Sequence, residues 1–156
     1  MKRLILLALC LVACRPAETG TLQHTKDTAM LTPEQLNSLI LETLSAPQYK
    51  PIDGEKFYGP LVTEGGSRVY VSTLDREQVL AELSELIEPH VVEMHWGDDY
   101  GQYHGTFRLR SNPALEIALA TSLLKPKTET FKDAPEILRA YNSDVLYSPP
   151  APVGSP

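Results

Sequence analysis

Two alternating runs separated by a short connection constrain this chain more than any other stretch. The first is Val91-Val92-Glu93-Met94-His95-Trp96, and the second is Tyr103-His104-Gly105-Thr106-Phe107-Arg108-Leu109-Arg110. Val92, Met94 and Trp96 alternate with Val91, Glu93 and His95, while Tyr103, Gly105, Phe107 and Leu109 alternate with His104, Thr106, Arg108 and Arg110. A period of two is what a strand with one buried face requires. Gly97-Asp98-Asp99-Tyr100-Gly101-Gln102 connects the runs, so a hairpin is predicted. If it is symmetric about that loop, Trp96 faces Tyr103, Met94 faces Gly105 and Val92 faces Phe107, and Gly105 leaves room for an aromatic neighbour.

Two helices flank this hairpin on its N-terminal side. In Leu31-Thr32-Pro33-Glu34-Gln35-Leu36, Thr32 is placed to cap, Pro33 suits the first helical position and Gln35 completes a capping box, with Leu31 and Leu36 as the staple. Leu36, Leu39, Ile40 and Leu44 give that helix one apolar face, and Ser45-Ala46-Pro47 ends it. Asp75 and Gln78 repeat the arrangement before Val79, Leu80, Leu83, Leu86 and Ile87, and Pro89 stops the second helix. The likeness of the two openings reflects capping chemistry, since their flanks do not match.

The remaining segments carry weaker patterns. Phe57 to Thr63 and Arg68 to Thr73 are rich in β-formers and are joined by the turn-forming Glu64-Gly65-Gly66-Ser67, with Pro60 confining the first to an edge. Ala114 to Leu124 is ambiguous: Leu115, Ile117, Leu119 and Leu123 alternate as in a strand, whereas the Asn112-Pro113 opening and three alanines favour helix, which is the expectation. A strand at Thr128 to Phe131 and a short helix through Pro135 to Tyr141, capped by Asp133, are predicted to follow. The expected fold class is α+β, a small antiparallel sheet packed with two or three helices. The order of elements from Arg68 to Phe131 suggests a split β-α-β unit, hence a ferredoxin-like sandwich.

The N-terminus reads differently from all of this. Lys2 and Arg3 precede the apolar run Leu4 to Leu11, the layout of a secretory signal and far short of the roughly 20 residues of a spanning helix. Leu11-Val12-Ala13-Cys14 resembles the lipobox of bacterial lipoproteins. That resemblance implies that residues 1–13 are cleaved, that Cys14 is lipidated, and that the membrane is a partner through acyl chains worth about 0.8 kcal/mol per buried methylene. Arg15 stands where aspartate retains many enteric lipoproteins in the inner membrane, which favours the periplasmic leaflet of the outer membrane. Residues 14–30 then form a polar, aperiodic tether with a root-mean-square span on the order of 20 Å. A single domain is expected over 31–147, followed by a disordered, proline-rich tail at 148–156.

Charge and cysteine content narrow the function. The whole chain carries a net charge of −6, and removal of Lys2 and Arg3 makes it more negative. With no cluster of Lys and Arg, nucleic acid is not an expected partner. The chain has two cysteines; the lipobox resemblance implies that Cys10 leaves with the signal and Cys14 is acylated, which excludes disulfides, thiolate metal sites and cysteine nucleophiles from the domain. A G-x-S-x-G elbow, a P-loop lysine and a Rossmann glycine fingerprint are all absent from the sequence.

Two clusters remain as sites. His90, His95 and His104, three of four histidines, fall on the hairpin, and symmetric pairing sets His95 opposite His104 with Glu93 nearby, a set that suits a divalent metal. A solvated polar sheet face explains the same residues. At the hairpin tip, Trp96, Asp98, Asp99 and Tyr100 form a second set, suited to inserting into a protein partner. The expected function is that of a non-enzymatic, periplasm-facing binding module with no cofactor. Its expected partner is another envelope or exported protein, which it serves as an accessory, inhibitor or immunity-type factor. The competing class is a metal-dependent or carboxylate hydrolase acting on envelope material.

Overall fold

The computed structural model describes residues 29–58, 66–99, 101–124 and 136–154. The lipobox, most of the tether, the strand expected at Thr128 to Phe131, the Asp133 cap and Tyr100 lie outside them. In chain order the elements are α1 (Pro33–Thr43), β1 (Tyr49–Ile52), α2 (Gly54–Tyr58), β2 (Arg68–Ser72), α3 (Arg76–Ile87), β3 (Val91–Asp99), β4 (Gln102–Leu109), β5 (Leu115–Ser122), α4 (Glu136–Arg139) and β6 (Ser143–Pro152). The strands form one sheet in the order β1-β2-β6-β5-β4-β3. This is the α+β class the sequence predicts.

Both long helices form as their caps dictate. The Thr32 hydroxyl accepts from the Gln35 N–H and the Gln35 side chain returns to the Thr32 N–H at 2.9 Å; the Gln78 side chain likewise takes the Asp75 N–H at 3.0 Å. Leu36, Ile40 and Leu44 of α1 and its C-cap meet Val79, Leu83 and Ile87 of α3 over Tyr70, Phe107, Leu109, Ile117, Leu119, Val145 and Tyr147 of the sheet. Each such side chain contributes about 1.5 to 3 kcal/mol when fully buried, so this one helix-covered face carries most of the fold's stability. Leu31 packs against the same cluster, completing the staple. The opposite face carries a smaller cluster of Val71, Leu124 and Leu138, flanked by Ile52 and Tyr141.

Four expectations require correction. Ala114 to Leu124 is a strand and not a helix. The Asn112 side chain accepts from the Ala114 N–H, and its carbonyl accepts from the Leu115 N–H, so Asn112-Pro113 makes a turn. Alternation then sends Ile117, Leu119 and Thr121 inward, and tertiary burial overrides alanine's helix preference. Secondly, Ser148 to Pro152 is ordered as the end of β6. Its prolines are tolerated because β2 ends its pairing at Arg68–Tyr147, and because Pro149 and Pro150 fall within the register shift against β5.

Thirdly, Phe57 and Tyr58 end α2, started by the Asp53 carboxylate on the Lys56 N–H, and β2 takes β1 as its partner instead. Residues 59–65 of that expected strand and turn lie outside the described residues. Finally, the split β-α-β arrangement is not formed. Every pairing among the described residues is antiparallel, and β3, β4, β5 and β6 run as a meander with each strand beside the next. With 115–122 as strand in place of helix, the described residues contain no second crossover to build the ferredoxin-like sandwich.

Candidate protein-binding edge

The hairpin forms, in a register shifted by two residues from the symmetric one. Asp99 pairs with Gln102, and Gly101 adopts φ 81°, a left-handed conformation that glycine reaches without strain and that tight hairpin turns use. Gly97, Asp98 and Asp99 therefore belong to β3. Trp96 stands opposite Gly105, Met94 opposite Phe107 and Asp98 opposite Tyr103. The space left by Gly105 is taken by Trp96 and Phe107, whose ring centroids lie 5.0 Å apart at 85°, an edge-to-face contact. So the predicted role of Gly105 holds, with Trp96 as the neighbour across the ladder.

The same shift dissolves the expected metal arrangement. His95 pairs with Thr106 and His104 with Gly97, so the two imidazoles are not opposite each other. The His104 ring lies over Gly97, occupying the place of a Cβ. Glu93 is clasped from both sides, by His95 Nε2 at 2.8 Å and by Arg108 Nη1 at 2.8 Å. A carboxylate already held by a guanidinium has little to offer a cation. Among the described residues no group of three or more His, Cys, Asp or Glu side chains is placed to hold a metal ion. His90 is buried where β3 begins, and its burial and the Arg110 charge both lower its pKa.

What the geometry does assemble is an edge. Among the described residues β3 has β4 on one side and no strand on the other. Hydrogen-bonded pairs alternate along an antiparallel ladder, and the pair closing the turn is one of them. Asp99/Gln102, Gly97/His104 and His95/Thr106 thus face inward, leaving the N–H and C=O groups of Met94, Trp96 and Asp98 directed to the open side. The side chains of this set are Met94, partly buried against the core, Trp96, 39% exposed, and Asp98, exposed. Val92 adds a further exposed apolar group, 52% accessible, at the bulge between Val91 and Glu93. Asp99 extends the strand toward Tyr100, which lies outside the described residues.

Arg76, which sequence reasoning missed, fastens this hairpin to α3. Its Nη1 donates to the Gly101 carbonyl at 2.8 Å, and its guanidinium carbon sits 4.2 Å from the centroid of Tyr103. At the base, Arg110 donates to the Val91 carbonyl at 2.9 Å. The edge is therefore pinned at both ends. Arg76 also pairs with the adjacent Glu77 at 2.9 Å, but no local pattern announces the hairpin contacts, because Gly101 lies 25 residues away and Tyr103 still farther.

Other recesses hold less chemistry. On the opposite face a cavity of about 50 Å³ is lined by Tyr58, Val69, Gln102, Asp144 and Leu146. Asp144 is buried there, accepting from the Tyr58 hydroxyl at 2.7 Å and the Ser122 N–H at 2.6 Å, and desolvation raises its pKa. A hollow of about 690 Å³ opens between the end of α1, β1 and β2, with Asp53 and Arg68 among its lining. Asp53 spends its carboxylate on α2. Compared with known protein families, with curated proteins and with solved structures, the chain matches none of them.

Proposed function

We propose that this chain is a lipid-anchored, periplasm-facing binding module that engages another envelope or exported protein through the β3 edge around Trp96. The observation that carries the reading is a tryptophan presented to solvent on an open strand, held in place by Phe107 and Gly105 beneath it. A rigid, half-exposed aromatic is the kind of group that dominates interface energetics, because little side-chain entropy is lost when a partner covers it. The lipobox-like Leu11 to Cys14 supports the anchor, and anchoring raises the local concentration of a binder near its target. An accessory, inhibitor or immunity-type role fits a stoichiometric module of this size.

The test is cross-linking of intact cells that carry the protein tagged after Pro156, followed by mass spectrometry of what is recovered in stoichiometric amount. One recurrent protein partner is expected, with recovery falling at least tenfold for Trp96→Ala. A partner recovered equally well with that variant, or none beyond bulk envelope proteins, removes the reading.

A further inference from the structure

Resting on that reading, we infer that the partner is engaged by strand addition: an extended segment with basic residues alternating with apolar ones pairs with the open side of β3. Strand addition needs unpaired main-chain groups in phase, a face for the incoming side chains, and an edge that nothing else occupies. Among the described residues, β3 from Glu93 to Asp98 offers all three. Met94, Trp96 and Asp98 turn their main-chain groups outward, and their side chains share one face. The bulge at Val91/Glu93 and the Arg110 contact to the Val91 carbonyl end the usable stretch, which is about 20 Å long at ~3.4 Å per residue.

The sheet's other edge is unsuited to the same use. β1 has four residues, and Pro51 is one of them. Proline and short length are the devices that keep an edge closed to further strands. β3 spans nine residues and contains no proline.

Charge specifies the occupant. On the outward-directed set, Asp98 is an exposed acid next to Trp96, and Asp99 follows it in sequence on a chain whose net charge is −6. Glu93 is offset by Arg108 and His95. An incoming strand thus meets an apolar surface at Met94 and Trp96 and an acid beyond them. Lysine or arginine there gains a counter-charge, and on Trp96 a cation gains the ring's negative face. An acidic strand would be repelled.

Trp96 is the only tryptophan of the chain, so its emission reports on this edge alone. The protein, held in detergent, is titrated with a ten-residue peptide alternating lysine with valine and threonine, and with two controls carrying glutamate for lysine or proline at alternate positions. A saturable blue shift is expected with the lysine peptide, at least tenfold weaker for both controls. The amide protons of Met94, Trp96 and Asp98 should gain exchange protection on binding, while those of His95 and Gly97 keep the protection the ladder already gives. Met94→Pro removes an outward N–H and no ladder N–H, so it should weaken binding at least tenfold, with Met94→Val within twofold of the parent.

Absence of saturable binding by the lysine peptide, binding without protection at those three amides, or equal affinity for the glutamate peptide overturns strand addition. A concentration-dependent dimer in sedimentation that protects the same amides would make a second copy the occupant and overturn the basic partner. The broader reading fails separately. A cellular partner lost with Trp96→Ala and retained with Met94→Pro keeps the binding module and discards strand addition, whereas a partner indifferent to Trp96→Ala discards both.

Discussion

Gly97 and Gly105 sit on adjacent strands of one hairpin and differ in what stands over them. A Cβ at Gly105 would lie 2.8 Å from both Phe107 Cζ and Trp96 Cε3, and Phe107 is fully buried. The buried Phe107 ring has no room to retreat, so Gly105→Ala should cost about 1 to 3 kcal/mol in urea denaturation and, by displacing the half-exposed Trp96 ring, reduce its near-ultraviolet dichroism. A Cβ at Gly97 meets only the imidazole of exposed His104, which can swing away, so Gly97→Ala should change stability by no more than about 0.5 kcal/mol. Asp144 makes a pH-dependent contribution. Burial raises its pKa, so the folded chain holds that proton more readily than the unfolded one, and Asp144 opposes stability as pH climbs through its raised pKa. Asp144→Asn keeps an acceptor for the Ser122 N–H, and melting curves from about pH 4 to 7 should lose that downward component. His90 acts with the opposite sign: its lowered pKa makes acidification below the ordinary imidazole range cost stability.

At the scale of elements, the hairpin and α3 are one unit because of Arg76. Replacing it with methionine keeps the aliphatic stem and removes the Gly101 hydrogen bond, the charge over Tyr103 and the ion pair with Glu77, which together should cost about 1 to 2 kcal/mol. Amide exchange should quicken at Gly101 and Gln102 before it does in β5. The elements legible in the sequence are those whose information is local. Thr32 with Gln35, and Asp75 with Gln78, write the starts of α1 and α3 within four residues, and the Leu and Ile stripes write their buried faces. β5 was legible only as the lesser alternative, through the alternation of Leu115, Ile117, Leu119 and Leu123, and β6 was not, because what decides both comes from neighbours. Ala118 and Ala120 are strand residues by virtue of Thr106, His104, Ser148 and Leu146 beside them, and the prolines of β6 are harmless only where a register shift receives them. The candidate site divides the same way. Trp96 and Asp98 were visible as residues of the hairpin tip, but Trp96 was expected on the apolar face of its run and Asp98 in the connecting loop. The phase is set by Gly101, and the two-residue shift brings Asp98 into β3 and takes His95 out of opposition to His104.

Over the whole molecule, the proposed anchor, a polar lead and a sheet whose β3 edge is open among the described residues suit a protein that is fixed in place and presents a strand to what passes. Cys14→Ser should therefore shift the chain from the membrane pellet to the soluble envelope fraction while leaving the melting temperature of the domain unchanged, which fractionation and dichroism together decide. If that variant remains fully membrane-bound, the lipid anchor is not what holds it. One feature of the sheet bears on the time at which any of this comes into being. β6, the last of the described strands, lies between β2 and β5. Until residues 143–152 have been synthesised, β2 with β1 on one side and the β3-β4-β5 meander on the other have no strand to join them, and the helices have only half a floor to rest on. The six-stranded sheet thus cannot close before β6 has been made. If the chain is exported as proposed, this placement of β6 keeps the sheet incomplete while the polypeptide is threaded, still unfolded, through a translocase.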